Sequence, residues 1–321
     1  MNLCAIGTST ITRTMMKEFL RSDVLQPMAV CSRDLERGRA FAAEFGISSV
    51  YTDMDEMLRS PDIDIVYVAS PNSVHYRQAK AALLAGKHVI CEKPFTSTVA
   101  ETDELIGIAK EKGLFLFEAI TTAHHPHYAW VRQQLPCLGK LKLVSATFCQ
   151  YSSRYPALLQ GKATPVLDHA FAGGALMDIN LYNIHFAVGL FGKPQRVHYF
   201  PNRHETGVDI SGIVILEYPG FVCQCTGAKD SSAINGIQVI GEDGLVAVTP
   251  IASNCQKVSL QLRGQPPQEL EVEENAWYYE VQDIGRIIAA GDLQKCYAAL
   301  DTTRDVVWVL EQARRSAGFD F

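Results

Sequence analysis

The chain has 321 residues, of which 47% are hydrophobic and 20% charged, and its formal net charge is −6. This length suits two domains that each bury a core, and the composition argues against a disordered or fibrous chain. The negative charge and the lack of any Lys- and Arg-rich cluster argue against nucleic acid as a partner.

The nine cysteines are scattered from Cys4 to Cys296 without a Cys-x-x-Cys pair. This spacing indicates reduced thiols and predicts no metal site. The amino terminus lacks the basic start and long apolar stretch of a signal peptide, and no segment approaches the length needed to span a bilayer. We therefore expect a cytoplasmic protein without a membrane partner.

Short apolar runs alternate with helical patterns through residues 1–120. The predicted strands are residues 3–6, 28–31, 63–69, 88–91 and 114–117. The predicted helices, residues 34–45, 74–85 and 99–112, are each followed by a glycine suited to a left-handed cap. Residues 1–120 are therefore predicted to form a Rossmann domain, a doubly wound α/β fold with a parallel sheet.

The pattern changes after residue 120, where predicted strands follow one another at residues 141–149, 208–218, 221–226, 237–240 and 245–248. Tight turns between them indicate a mainly antiparallel sheet, and helices are predicted at residues 174–190, 276–290 and 302–315. Residues 121–321 are therefore predicted to form an α+β domain for substrate binding and oligomerisation. Its open sheet leaves an apolar face that a second copy would cover, so we expect a homodimer or a higher homo-oligomer.

Two features of the first domain favour a dinucleotide cofactor. The first strand leads into a turn and a helix, and the residues at this point are Gly7, Thr8, Ser9, Thr10 and Ile11. A Rossmann turn brings backbone N–H groups against a pyrophosphate, although an ordinary strand-to-helix turn with a Ser or Thr cap would also explain the segment. The second strand ends in Ser32 and Arg33, donors that suit a 2′-phosphate and so favour NADP over NAD. Stacking of Arg33 on adenine, with either cofactor accepted, remains the alternative.

The predicted strand at residues 88–91 ends abruptly in Glu92, Lys93 and Pro94. A lysine at the end of a buried strand, whose backbone is restricted by the following proline, places a positive charge for chemistry.

The predicted helix at residues 174–190 is apolar on both flanks but carries Asp178, Tyr182 and His185 at spacings of four and three. On an α-helix these side chains share one narrow stripe, which suits proton transfer. A hydrogen-bonded core network is the competing interpretation.

These segments together resemble the Gfo/Idh/MocA oxidoreductase family. The resemblance rests on the glycine turn, the Ser-Arg tip, residues 69–75, residues 86–94 and residues 173–182. It implies a nicotinamide-dependent oxidoreductase that acts on a small polyol, sugar, cyclitol or ketone. The cofactor contacts that it implies, beyond the turn and the tip, are Ser70, Pro71, Asn72, His75, Glu92, Lys93 and Pro94.

The resemblance also implies the catalytic groups. Asp178 and Tyr182 match the aspartate and the acid/base of the family, with tyrosine as in the dihydrodiol and xylose dehydrogenase branch. Lys93 would favour the phenolate of Tyr182 and steady the developing alkoxide, and Asp178 would orient the substrate or the lysine. Asn180 replaces a common glycine, with a consequence that the sequence leaves open.

Two questions stay open at the level of the sequence. His124, His125 and His127 cluster where the second domain begins, and their spacing does not favour a metal. His125 of this cluster and His185 of the predicted helix are therefore proposed only as substrate contacts. A non-catalytic cofactor-sensing regulator and a nicotinamide-dependent glycoside hydrolase are the alternatives to a dehydrogenase.

Overall fold

The structure is a computed structural model that describes residues 1–162 and 164–319. The chain divides into two compact units. The first combines Met1–Ala119 with Trp277–Arg304, and the second combines Ile120–Ala276 with the segment that begins at Asp305. The contiguous division predicted from the sequence therefore differs for residues 277–304, whose apolar side chains pack into the core of the first unit.

The first unit is built on a six-stranded parallel sheet, and the predicted Rossmann fold is confirmed. Its strands are β1 (Asn2–Ile6), β2 (Gln26–Cys31), β3 (Ser49–Tyr51), β4 (Ile65–Val68), β5 (His88–Glu92) and β6 (Leu116–Ala119). The strand order is β3-β2-β1-β4-β5-β6. The order reverses between β1 and β4, and ligands of such sheets bind beyond the carboxyl ends of the strands at this reversal.

The helices of the first unit up to residue 119 are α1 (Thr10–Phe19), α2 (Leu35–Phe45), α3 (Met54–Arg59), α4 (His75–Leu84) and α5 (Val99–Lys112). Asp34 caps α2 by accepting a hydrogen bond from the backbone N–H of Arg37 at 3.0 Å. The predicted glycine caps are confirmed, because Gly46, Gly86 and Gly113 have positive φ. The short β3 and α3 were not predicted.

The second unit contains a sheet of eight strands, and the prediction that this sheet is mainly antiparallel is confirmed. Its strands are β7 (Leu141–Cys149), β8 (Arg196–Arg203), β9 (Asp209–Tyr218), β10 (Phe221–Ala228), β11 (Gly236–Gly241), β12 (Gly244–Ile251), β13 (Asn254–Leu262) and β14 (Gln268–Glu271). Their order is β14-β13-β12-β11-β7-β10-β9-β8, and β7 and β10 run parallel. The sequence did not predict β8, β13 or β14.

The two faces of this sheet differ in character. One face supplies the main core of the unit, with residues such as Val144, Val214 and Cys225 almost fully buried. Because side chains alternate along a strand, their neighbours point to the opposite face. That face exposes four large apolar side chains, those of Leu143, Phe200, Ile213 and Val222.

The remaining helices are α6 (Thr121–His124), α7 (Pro126–Gln134), α8 (Tyr155–Leu159), α9 (Leu181–Phe191), α10 (Ala276–Ala289) and α11 (Leu293–Ser316). The prediction of a single α-helix at residues 174–190 is wrong for the first half of this range, because Leu176–Asn180 forms a π-helix that continues into α9. The last helix also begins earlier than predicted, at Leu293. Within the described residues, none of the helices has the length and apolar character that crossing a membrane requires.

Candidate active site

The turn after β1 is shaped for close approach by a ligand. Gly7 has a φ of 108°, and a Cβ at this position would lie 2.7 Å from the carbonyl oxygen of Ala69. Only glycine fits both restrictions. Ser9 then caps α1 by accepting a hydrogen bond from the backbone N–H of Thr12 at 3.4 Å, and Thr10 begins the helix. Backbone N–H groups at the start of a helix beside a glycine turn suit the pyrophosphate of a dinucleotide.

Thr8 and Ile11, the other residues predicted for this turn, are half-buried. The carbonyl oxygen of Thr8 accepts a hydrogen bond from the guanidinium of Arg13 at 2.8 Å. The same guanidinium is paired with Glu44 at 2.9 Å. Arg13 therefore stiffens the turn, a role that the sequence pattern did not reveal.

The end of β2 carries the two residues predicted for the ribose end of the cofactor, and only Arg33 exposes its side chain. The Ser32 side chain is buried, and its hydroxyl donates to the carbonyl oxygen of Asp34 at 2.9 Å. Arg33 is exposed. The Asp34 carboxylate is engaged in capping α2, so it is not available to bind a ribose 2′-hydroxyl as NAD would require. The exposed charge of Arg33 suits the 2′-phosphate of NADP, and the end of β2 therefore fits that cofactor.

His75 joins two of the predicted cofactor loops. Its ring nitrogens lie 2.8 Å from the carbonyl oxygen of Ser70 and 2.9 Å from that of Pro94. The side chain is 1% exposed, and burial lowers the pKa of its imidazole. Pro71 and Asn72, which follow Ser70 in the chain, are half-buried at the start of a 3₁₀ turn. His75 thus holds the loops together through their backbones.

Buried glutamates lie near the strand end that carries Lys93. Glu92 is 6% exposed and accepts a hydrogen bond from the Tyr67 hydroxyl at 2.6 Å. Burial raises the pKa of Glu92 to about 7, and burial together with the charges of Glu92 and Glu118 raises that of Glu280. Lys93 itself is half-buried and lies near enough to Glu92 to oppose this rise. The side chain of Glu92 therefore points into the core, and only its backbone remains to border a cofactor.

In the second unit, a buried carboxylate anchors the helix that carries the predicted acid/base. Asp209 is 1% exposed and accepts hydrogen bonds at 2.7 Å from the backbone N–H of Leu176 and from the Tyr199 hydroxyl. Burial raises the pKa of Asp209. The carboxylate fixes the start of the π-helix, because it satisfies a backbone N–H that has no partner within the helix.

Asn180 fastens the same helix to β10, which answers the question that the sequence left open. Its side-chain Nδ2 donates to the carbonyl oxygen of Cys225 at 3.0 Å, and its side-chain Oδ1 accepts a hydrogen bond from Nδ2 of Asn183 at 2.9 Å. Asn183 also donates to the carbonyl oxygen of Thr226 at 3.0 Å. A Cβ on Gly227 would lie 2.6 Å from the Cβ of Asn180, so the helix and strand are in close contact.

The predicted stripe of Asp178, Tyr182 and His185 needs a correction. Asp178 lies in the π-helix, where Leu181 bonds to the carbonyl of Leu176, whereas Tyr182 and His185 lie in α9. A π-helix closes i to i+5 bonds, so the α-helical spacing that was assumed does not hold for Asp178. His185 is 3% exposed, whereas Asp178 and Tyr182 are half-buried.

Asp178 is paired with a residue that the sequence analysis missed. Its Oδ2 contacts the ammonium of Lys229, which lies directly after β10 and is 7% exposed. The Tyr182 ring packs against Phe148, with centroids 6.0 Å apart. A carboxylate, an ammonium and a phenol on neighbouring backbone segments can bind hydroxyl groups and exchange a proton.

The histidines at the start of the second unit form a buried pair. The rings of His125 and His127 stack with centroids 4.7 Å apart, and their Nδ1 atoms are separated by 3.1 Å. Burial, reinforced by His127, lowers the pKa of His125 to about 4. Pro126 begins α7, with His125 as its N-cap, and His124 ends α6. His125 therefore belongs to the packed interior of the unit.

The cysteines of the chain are free thiols, and eight of the nine are buried. Cys223 and Cys225 point to the same face of β10, with sulfur atoms 3.8 Å apart. In the part of the chain that the structure describes, no group of three His, Cys, Asp or Glu side chains is arranged to hold a metal ion.

Comparison with family models identifies both halves of the chain. Residues 1–120 match the Gfo/Idh/MocA model described as an oxidoreductase family with an NAD-binding Rossmann fold. Residues 137–247 match the model of the Gfo/Idh/MocA C-terminal domain.

Full-length relatives agree with these matches. The chain is 36% identical to the oxidoreductase YgjR of Escherichia coli, over 98% of this chain and 96% of that protein. It is 33% identical to the NADP⁺-dependent scyllo-inositol 2-dehydrogenase IolU of Bacillus subtilis, with the same coverage.

Solved structures share the fold along the whole chain. The aldose-aldose oxidoreductase of Caulobacter crescentus, complexed with glycerol, superimposes with a TM-score of 0.82 at 25% identity and covers 100% of this chain and 99% of that one. The 3-ketoreductase KijD10 of Actinomadura kijaniata, bound to NADP and TDP-benzene, gives a TM-score of 0.86 at 22% identity, covering 98% and 97%. The chain therefore belongs to the Gfo/Idh/MocA family and is an NAD(P)-dependent oxidoreductase.

Proposed function

We propose that the protein transfers a hydride between NADP(H) and a carbinol or carbonyl group of a sugar, a cyclitol or a related small alcohol. The ion pair of Asp178 with Lys229 carries this proposal, together with the half-buried Tyr182 in the helix that continues from the π-helix of Asp178, since such groups can bind hydroxyls and exchange a proton. The names of the relatives support the substrate class, because one acts on scyllo-inositol and others on a dihydrobenzenediol.

The cofactor contacts of this proposal follow from the first unit. Gly7 and the residues of its turn, from Thr8 to Ile11, receive the pyrophosphate at the start of α1, and Ser32 with Arg33 receives the 2′-phosphate. The backbones of Ser70, Pro71 and Asn72 and of Glu92 to Pro94, joined by His75, border the nicotinamide. The bound nicotinamide supplies the acceptor or donor of the hydride.

Three side chains perform the remaining chemistry in this proposal. Tyr182, as the phenolate, takes the hydroxyl proton when the carbinol is oxidised, and as the phenol it returns that proton in the reverse direction. Lys93 stabilises negative charge that develops on the substrate. Asp178 accepts a hydrogen bond from a substrate hydroxyl and so orients the substrate. His125 and His185 are too deeply buried to be assigned a step.

A substrate panel with both nicotinamides tests the proposed function. Sugars, cyclitols including scyllo-inositol, and small diols are each mixed with NADP⁺ or NAD⁺, and the absorbance of the reduced nicotinamide is followed. We expect turnover with at least one polyol and a higher kcat/KM with NADP⁺. Release of a sugar from a glycoside without net reduction would instead favour a hydrolase, and tight NADP binding without turnover would favour a sensor.

Lys93→Ala tests the role of the lysine. We expect turnover to fall by far more than tenfold, about 1.4 kcal/mol of barrier, because the developing alkoxide loses its cation. The Kd for NADP, measured by titration calorimetry, should stay within about threefold, since the charge acts on the substrate oxygen. Lys17→Ala, at an exposed position of α1, is the matched control and should leave both quantities unchanged. Turnover within tenfold of the unsubstituted protein would contradict the assigned role.

The roles of the domains, the oligomeric state and the location belong to the proposal as well. We propose that the first unit binds the dinucleotide and that the second unit binds substrate and forms a homodimer. Four exposed apolar side chains on one sheet face support the dimer. Nine free cysteines support a reducing compartment such as the cytoplasm.

A further inference from the structure

Lys229 is a buried cation whose position is set by the backbone. Its side chain is largely buried, and its ammonium pairs with the carboxylate of Asp178. Burying an ammonium costs free energy unless a charged partner compensates for it. The pair is therefore an obligatory feature of this site, in contrast to the exposed ion pairs elsewhere on the chain.

Both partners of the pair are held rigidly. The backbone N–H of Lys229 donates to Ile210 at 2.8 Å, and its carbonyl accepts from the N–H of Ser152 at 2.8 Å. On the other side, the π-helix that bears Asp178 is fastened to β10 by the amide of Asn180. The fold thus fixes the two backbone segments that carry the pair, because neither segment can shift without breaking these hydrogen bonds.

The contact with Lys229 involves one oxygen of the carboxylate. Lys229 engages Oδ2 of Asp178, whereas an ionised carboxylate can accept about four hydrogen bonds. A carboxylate that a cation holds in one orientation can present its other acceptor positions to a ligand hydroxyl without a loss of side-chain entropy on binding.

We infer that Lys229 is a positioning residue that orients Asp178 toward a hydroxyl of the substrate other than the reacting carbinol. The inference rests on the proposed function, in which Asp178 contacts the substrate. It predicts that the protein prefers polyols to alcohols with a single hydroxyl, because the oriented carboxylate has no partner in a simple alcohol. Lys229 acts only through Asp178 and touches neither the cofactor nor the reacting atoms.

A double-mutant cycle between Lys229 and Asp178 tests the inference. Lys229→Met, Asp178→Asn and the double variant are assayed with the best polyol of the panel and NADP⁺. We expect Lys229→Met alone to lower kcat/KM for the polyol at least tenfold while the KM for NADP⁺ stays within about twofold. Added to Asp178→Asn, the same substitution should change kcat/KM by less than about twofold, because the carboxylate that it positions is already absent.

Two further variants separate positioning from a general structural role. Lys229→Arg keeps the charge and should retain kcat/KM within about threefold. Lys257→Met removes a partly exposed lysine that pairs with Glu269 at 2.7 Å, and it should leave kcat/KM unchanged. If Lys229→Met does not fold, as judged by circular dichroism, Lys229→Gln replaces it in the cycle and is interpreted in the same way.

The outcomes are distinct. Equal losses from Lys229→Met in the presence and absence of the Asp178 carboxylate would overturn the inference, and so would a parallel rise in the KM for NADP⁺. Lack of turnover of every polyol by the unsubstituted protein would overturn the proposed function instead, and the inference would fall with it. In that case a cycle on urea unfolding would still show whether the two side chains are coupled in the folded protein.

Discussion

At the scale of single residues, we expect Arg33 to decide the cofactor preference. We expect Arg33→Asp to shift the ratio of kcat/KM for NADP⁺ to that for NAD⁺ at least tenfold toward NAD⁺, because a carboxylate repels the 2′-phosphate and accepts a hydrogen bond from a 2′-hydroxyl. Steady-state kinetics with both cofactors measure the ratio. Arg59→Asp makes the same change of charge at an exposed position in α3 and should leave the ratio unaltered. An unchanged ratio for the Arg33 variant would reassign the phosphate to other donors.

Glu92 should make the stability of the protein depend on pH. Burial raises its pKa to about 7, above the ordinary value of 4.5 that applies in the unfolded chain. Between these values the folded state binds more protons than the unfolded state, so the free energy of unfolding decreases as pH rises from about 4.5 to 7. The decrease due to this one group amounts to about 3 kcal/mol, at 1.36 kcal/mol for each unit of pKa.

Glu92→Gln removes this titration and keeps the hydrogen bond from Tyr67 possible, since the amide oxygen also accepts. Urea unfolding at a series of pH values should therefore show a flatter profile for the variant than for the unsubstituted protein. Glu111→Gln, at an exposed position of α5, serves as the control and should keep the original slope. Equal slopes for Glu92→Gln and the unsubstituted protein would mean that Glu92 is ionised in the folded state throughout this range.

The residues that sequence reasoning missed share a physical cause. Asp178 and Tyr182 were found because they are four positions apart, whereas Lys229 is separated from Asp178 by 51 positions. Contacts between distant segments depend on which strands become neighbours, and a single sequence carries no local signal for that. Glu280 was missed for the same reason, since α10 joins the first unit only through the tertiary fold.

At the scale of elements, the contact between β10 and the π-helix should tolerate no added atoms. We expect Gly227→Ala to lower the free energy of unfolding by about 1–3 kcal/mol, because its Cβ would lie 2.6 Å from the Cβ of Asn180. Chemical denaturation measures the loss. Combining it with Asn180→Gly should recover part of the loss that each substitution causes alone, since the double variant removes the clashing atoms.

Gly107→Ala provides the comparison for this experiment. Gly107 lies within α5, and a Cβ there would meet no atom within 4 Å. The same addition of one methyl group should therefore stabilise the protein by about 0.5–1 kcal/mol, the cost of glycine within a helix. If Gly227→Ala were as neutral or stabilising as Gly107→Ala, the helix would have room to move away from the strand.

The elements that the sequence predicted well are those with strong periodicity. The five predicted strands of the first unit and its glycine-capped helices follow from buried apolar runs and local capping chemistry. In contrast, β3 has three residues, β8 contains Pro201 and β14 is mostly polar, so none gives a clear strand signal. The π-helix had no signal at all, because its residues read as an ordinary helical pattern and its bonding depends on the anchor at Asp209.

At the scale of the whole molecule, the open sheet face should determine the oligomeric state. We expect Val222→Glu to convert a homodimer into a monomer, because Val222 lies beside Leu143 on the exposed apolar face and a carboxylate cannot be buried there without a partner. Size-exclusion chromatography with light scattering measures the mass. Ile234→Glu alters the most exposed large apolar side chain among the described residues, outside the sheet, and should leave the mass unchanged. A monomeric unsubstituted protein would contradict the proposed dimer.

The division of the chain has a consequence for its synthesis. The first unit needs residues 277–304, whose Val281, Ile284 and Ile287 fill its core, so it cannot be completed when the ribosome has made only its sheet. Domains generally fold as units during synthesis, amino-terminal ones first. Here the unit that is synthesised first is not completed first. Its sheet keeps apolar surface exposed until residues 277–304, which cover that surface, have been synthesised. A nascent chain stalled after residue 119 is therefore expected to depend on chaperones until its late helices arrive.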